Sequence, residues 1–173
     1  MNSSTRSLAI VRHAKASQHA ETDSARELTD RGRAEATALG AWLAGEAGFV
    51  PDAALVSAAV RTRLTWELLV EAGGFTAEAS YEESLQSAGA DSVLDLVRLT
   101  PDNVSSLLVV GHNPTVSYLA QLLDAGNGDE EAMHMMIGGF PPGAVALFEY
   151  DGAWSDLQMA TARLTAFRPG ATE

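Results

Sequence analysis

Two histidines, each delivered by a short apolar run, carry most of the chemistry this sequence can offer. Leu8-Ala9-Ile10-Val11 leads into Arg12-His13-Ala14-Lys15, and Leu107-Leu108-Val109-Val110 leads into Gly111-His112-Asn113-Pro114. Strand ends that open into loops are where α/β proteins gather reactive side chains. A neutral imidazole can attack phosphorus and hold it covalently, and an arginine beside it can neutralise phosphoryl oxygens with a planar donor fork. That pairing suits phosphoryl transfer through a phosphorylated histidine, with His13 as nucleophile and Arg12 as the first phosphate clamp. Taken alone, Arg12-His13 is as well read as a strand-end histidine beside a surface arginine.

His112 is expected to hydrogen-bond the transferring group as its charge redistributes. Capping the following helix is its other reading. Gly111 allows close backbone approach, and Asn113-Pro114 turns the chain toward a helix start that favours anions. Arg61 is the candidate second clamp and Ser57 could face the same pocket, with Asn113 a further phosphate-binding candidate. Arg63 competes with Arg61, but two residues apart on a helix they cannot point the same way. A leaving group needs a proton, and Glu82 is the first candidate donor with Glu83 second. Adjacent glutamates are also ordinary solvated surface charge. His19, in a polar segment, and His134, among methionines, are weaker candidates. No histidine spacing resembles a compact metal-ligand set. Two arginines and two histidines around a phosphate need no metal, and no cofactor is implied.

Those residues must be held by a scaffold. Leu8–Val11, Ala54–Ser57, Leu107–Val110 and Ala144–Tyr150 read as strands, and residues 75–80 as a further short one. The continuous apolar runs fit a parallel sheet covered on both faces. Thr29 is a candidate N-cap for a helix with an apolar stripe at Ala34, Ala38, Leu39, Trp42 and Leu43, ending at Gly45 or Gly48. Further helices are expected from Ala58–Arg63 through Val70 to Gly73-Gly74, over Ser92–Val97, over Thr115–Leu123 and over Glu130–Ile137. Residues 14–24 read as a flexible loop by the site, and 81–88 as a loop or short helix. Asp151-Gly152 suggests a hairpin turn into Trp154–Leu157. Helices alternating with strands give an α/β class with an antiparallel edge near the C-terminus. One domain over 1–173 is expected, with flexible termini at 1–6 and 169–173.

Composition narrows the partners. The 173 residues are 46% hydrophobic and 20% charged, a globular balance, with a formal net charge of -12. That charge argues against a broad nucleic-acid surface, though local arginines can still hold a small anion. The absence of cysteine excludes disulfides, thiol chemistry and cysteine-ligated zinc. No run approaches a membrane span or a signal-peptide core, so the expectation is a cytoplasmic protein without membrane attachment, favoured as a monomer.

The ordered motifs resemble the histidine phosphatase superfamily, and within it the small bacterial SixA-type phosphohistidine phosphatase branch. They are Arg12-His13-Ala14-Lys15, Glu27-Leu28-Thr29-Asp30-Arg31-Gly32, Ser57-Ala58-Ala59-Val60-Arg61, Thr65-Trp66-Glu67, Gly111-His112-Asn113-Pro114, Phe140-Pro141-Pro142-Gly143-Ala144 and Trp154. The resemblance implies His13 as the phosphorylated nucleophile, with Arg12, Arg61 and His112 completing the pocket. It implies a three-layer α/β/α sandwich with a mainly parallel central sheet, phosphoglycerate mutase-like. Ala14 stands where the family usually has glycine, and the general acid of larger relatives has no firm match. The implied substrate is a phosphorylated histidine-containing protein, admitted to a site without long lid insertions. A small phosphomonoester is the main alternative, mutase activity a third, and a non-catalytic module holding a phosphorylated partner a fourth.

Overall fold

The structure, a computed structural model, describes residues 4–170. A six-stranded sheet runs in the order β3-β2-β4-β1-β5-β6, formed by β1 (Thr5–Arg12), β2 (Ala53–Ser57), β3 (Glu78–Glu82), β4 (Ser106–Gly111), β5 (Val145–Asp151) and β6 (Arg163–Arg168). β3, β2, β4 and β1 are mutually parallel, and β5 pairs antiparallel to both β1 and β6. The expected parallel core with an antiparallel C-terminal side is therefore observed.

Alternation along β1 explains the layers. Ala9 and Val11 face a core shared with Leu39, Leu43, Trp66 and Leu69, which come from α1 (Asp30–Ala44) and α2 (Val60–Gly73). Leu8 and Ile10 face the opposite core. There they meet side chains of α3 (Ala90–Arg98), α4 (Thr115–Leu123) and α5 (Glu130–Gly138). Every residue from Leu8 to Val11 is thus buried, which is why the run reads as uninterrupted hydrophobicity. No helix among the described residues is long and apolar enough to cross a membrane.

Local signals set several boundaries as expected. Thr29 caps α1 by accepting the Gly32 N–H, and Gly45 ends it. Gly74, at φ +65°, ends α2. Gly32 lies so near the 14–28 segment that a Cβ there would come within 2.1 Å of the Lys15 carbonyl oxygen. The close packing of loop and helix beside the site depends on that glycine.

Other expectations need correction. The buried stripe of α1 is Gly32, Ala36, Leu39, Gly40 and Leu43, while Ala34 and Ala38 are exposed. β3 begins at Glu78, three residues later than expected, because Phe75 is buried in the helix-side core. No hairpin follows Asp151-Gly152. Instead a short 3-10 turn at Trp154–Asp156 drops Trp154 into the core, where its indole N–H donates to the Val104 carbonyl at 2.7 Å. Burying a large ring with its one donor satisfied outweighs the local turn signal. β5 pairs instead with β6, across an eleven-residue connection over residues 152–162. Thr5 and Arg6, expected in a flexible terminus, begin β1, and Arg6 is buried with its guanidinium on the carbonyls of Gly152 and Asp102. At the other end Gly170 packs on Pro142. Of the expected flexible termini, residues 1–3 and 171–173 lie outside the described residues.

Candidate active site

Parallel pairing brings the two histidines together. Arg12 on β1 is in register with Gly111 on the neighbouring β4, so the residues after them, His13 and His112, leave the sheet side by side. Their rings are 5.3 Å apart between centroids. The His13 main chain is fixed from both sides: its N–H donates to the Gly111 carbonyl, and its carbonyl accepts the Gly143 N–H. β2 lies on the far side of β4 and ends at Ser57, just before the helix that carries Arg61.

The hydrogen bonds assign opposite tautomers to the two rings. His13 Nδ1 lies 2.8 Å from the Ala14 carbonyl oxygen, which can only accept. Nδ1 therefore carries the proton, and Nε2 keeps a free electron pair. His112 Nδ1 accepts from the Arg61 guanidinium at 3.2 Å, which puts its proton on Nε2, donated to Ser57 Oγ at 2.7 Å. Burial with nearby positive charge lowers both rings from the usual 6.5, His13 to about 3 and His112 to about 4. Desolvation is the main cause in each, and it disfavours the charged form. His13 is only 7% exposed and is held as a neutral imidazole at physiological pH.

The peptide that fixes the His13 tautomer is itself anchored. Ala14 N–H donates to Thr65 Oγ1 at 3.0 Å, and the same hydroxyl donates to the Arg61 carbonyl at 2.7 Å. Thr65 is fully buried and ties the His13 loop to the turn of α2 that presents Arg61.

Arg12, His13, Arg61, His112 and Asn113 line one cavity of about 410 Å³. Arg12 and Asn113 both donate to the Phe140 carbonyl, at 3.0 and 2.9 Å, and burial lowers the Arg12 pKa from its usual value. Arg61 is buried, with donors on the Asp23 carbonyl and carboxylate at 2.8 and 3.1 Å. Arg63 turns away, its guanidinium 4.2 Å over the Tyr81 ring. Ser57 is fully buried behind His112 and is not among the lining residues.

Glu82 does not join them. It is the last residue of β3, its carboxylate accepts from Ser80 Oγ at 2.6 Å, and it lines a separate groove with Leu96 and Leu99. Glu83 begins a short 3-10 helix, Glu83–Gln86, within the segment read as a loop or short helix. No carboxylate is among the residues lining the histidine cavity. His19 and His134 are exposed on the surface. Among the described residues no group of three or more His, Cys, Asp or Glu is placed to hold a metal ion.

Sequence reasoning missed Lys15, Gln18 and Arg26, which also line the cavity. It also missed Asp23, whose carboxylate links Arg61 to Arg26, and Thr65 as an anchor. The available signal was scarcity: with only 11 Lys and Arg in the chain, a cation in the polar segment after Arg12-His13 merits a role. The segment expected to be a flexible loop carries a 3-10 turn, Asp23–Ala25, held by Arg61.

Comparison with known proteins places this geometry in context. The sequence pattern of the Histidine phosphatase superfamily (branch 1) matches residues 8–90. An uncharacterised protein of Mycobacterium tuberculosis (strain H37Rv) is 36% identical over 159 residues, 91% of this chain and 98% of that one. The phosphohistidine phosphatase SixA of Escherichia coli (strain K12) is 32% identical over 119 residues, 68% of this chain and 73% of that one. A solved structure assigned to phosphohistidine phosphatase SixA, from Nakamurella multipartita, superposes with a TM-score of 0.85 at 31% identity. That match covers 99% of this chain and 100% of the other.

Proposed function

The chain belongs to the histidine phosphatase superfamily, in its SixA-type branch, and on that premise we propose that it removes phosphate from phosphorylated histidine on a protein. The observation that carries this reading is a cavity lined by two neutral histidines and several arginines, in which the carboxylate paired with Arg61 and Arg26, that of Asp23, is held as the anion by the Arg61 charge. A phosphate ester leaves as an alkoxide and needs a strong proton donor. A phosphoramidate on histidine can be protonated on its own ring and leave as neutral imidazole. A site whose arginine-paired carboxylate is kept ionised supplies no carboxyl proton and therefore favours the phosphoramidate.

In the proposed mechanism His13 Nε2 attacks phosphorus in line with the substrate's P–N bond. That bond breaks with its electron pair remaining on the substrate nitrogen. The Ala14 carbonyl keeps the His13 Nδ1–H in place and stabilises the positive charge the ring acquires. Arg12 and Arg61 receive the equatorial oxygens. His112 has its Nε2–H committed to Ser57, so Nδ1 is the atom it turns toward Arg61. A phosphoryl dianion there favours uptake of a proton from solvent at Nδ1, and the imidazolium so formed donates to a phosphoryl oxygen. Water next attacks the phosphorus on His13, releasing inorganic phosphate and regenerating the neutral ring. Ser57 thus acts through His112 rather than on the phosphate, and Asn113 helps Arg12 hold the Phe140 carbonyl.

The test compares turnover of a phosphohistidine phosphocarrier protein with a panel of small phosphomonoesters. Selective turnover of the phosphoprotein is expected. Preference for a small ester would overturn the substrate while leaving the His13 chemistry intact, and turnover of neither would favour a phosphate-binding module.

A further inference from the structure

Asp23 holds two arginines with one carboxylate. Its Oδ2 is 3.1 Å from Arg61, its Oδ1 is 3.2 Å from Arg26 Nε, and its backbone carbonyl takes a third arginine contact at 2.8 Å. Both guanidinium groups line the histidine cavity, but the carboxylate that joins them is not among the lining residues. The two sides of this arrangement differ in burial: the side chains of Arg61 and Arg26 are 8% and 21% exposed, and that of Asp23 is 74% exposed. An exposed carboxylate is a weak anchor for buried cations, because solvent screens it and competes for it. Arg26 also pairs with Asp23 without hydrogen-bond alignment, leaving its buried Nε–H with no acceptor.

A carboxylate offers two oxygens and one negative charge. A phosphoryl group offers three oxygens and up to two charges, and guanidinium forks accept either geometry. We propose that Arg26 is a third phosphoryl-binding arginine, and that Asp23 is a positioning residue whose oxygens are exchanged for those of the substrate. This rests on the reading of the cavity as a phosphate pocket. Asp23 keeps Arg26 and Arg61 turned to the cavity between turnovers, and partly neutralises these two arginines, whose mutual repulsion would otherwise spread them. It competes with phosphate for the same donors, which limits how tightly the product is retained. Arg26 comes from the 14–28 segment and Arg61 from α2, so the exchange would also tie the segment to the bound phosphoryl group.

Calorimetric titration of the full chain with inorganic phosphate tests the exchange without requiring turnover. Arg26→Ala should weaken phosphate binding about tenfold, the scale of one charge-assisted hydrogen bond, with Arg26→Lys intermediate. Asp23→Ala should bind phosphate as tightly as the wild type or more tightly, because a competing anion is gone. A merely structural pair would give both alanine variants a loss of the same sign and size, and that result overturns the proposal. Unchanged binding by Arg26→Ala also overturns it. If the wild type binds phosphate and Arg26→Ala binds equally well, only this proposal falls. If the wild type does not bind phosphate, the pocket reading beneath it falls as well.

Discussion

At the scale of single residues, the proposed mechanism depends on the protonation of two imidazoles. His13 must be neutral at Nε2 to attack, and its pKa of about 3 means the free enzyme keeps that form well below the usual histidine range. The acidic limb of kcat/KM for a substrate that does not itself titrate should therefore lie below about pH 5, not near the ordinary value of about 6.5. A limb near 6.5 in a pH–rate profile would mean that His13 is not the group being read. Glu82 gives a second check. Its side chain points to Ser80 and a groove away from the histidines, so Glu82→Gln should change kcat less than about twofold for good and poor leaving groups alike. A loss that grows with leaving-group pKa would show that Glu82 reaches the substrate after all. The two strand-fed motifs that bring Arg12, His13 and His112 to one cavity, with His13 the proposed nucleophile, were legible from residue order. The misplaced carboxylate was not, because alternation along β3 decides which way Glu82 faces, and the sequence did not reveal where that strand begins.

At the scale of elements, the site is a product of strand order. β1 and β4 are distant in sequence, yet their parallel register sets His13 beside His112, and β2 on the other flank supplies Ser57. Apolar runs, caps and terminal glycines made most elements legible, because those signals are local. The hairpin expected after Asp151-Gly152 failed for a tertiary reason: Trp154 is fully buried with its N–H satisfied, and pairing in the sheet would forfeit that burial. Thr65 was legible only as part of a family-like segment, since its role depends on two elements meeting in space. Thr65→Val removes the hydroxyl that joins Ala14 N–H to the Arg61 carbonyl, leaving one buried donor unpaired. It should cost about 1–3 kcal/mol of stability and lower kcat with little change in substrate KM. Denaturant unfolding and steady-state kinetics on the same preparation would separate the two effects, and an unchanged kcat would show that the Ala14 peptide is held without Thr65.

At the scale of the whole molecule, charge is distributed to suit an anionic ligand. The chain carries a net charge of -12, yet four of its 11 Lys and Arg, namely Arg12, Lys15, Arg26 and Arg61, line one cavity. A local positive field inside an acidic molecule selects small anionic groups over extended polyanions. The same histidines link the site to global stability. With folded values of about 3 and about 4 against 6.5, the unfolded chain binds more protons than the folded one between those limits. Stability should be unaffected by these groups above pH 6.5 and fall as pH is lowered toward 4. Replacing both histidines with glutamine should flatten that part of the stability–pH curve relative to the wild type, and an unchanged slope would show that the rings are not held neutral. The most direct measurement is to capture the covalent intermediate. The chain would be mixed with a phosphohistidine phosphocarrier, quenched at alkaline pH to preserve phosphoramidates, and mapped by mass spectrometry. One phosphoryl group on His13, absent from His13→Ala along with turnover, is the predicted result. Normal turnover by His13→Ala, or phosphate mapped to another residue, would contradict the account.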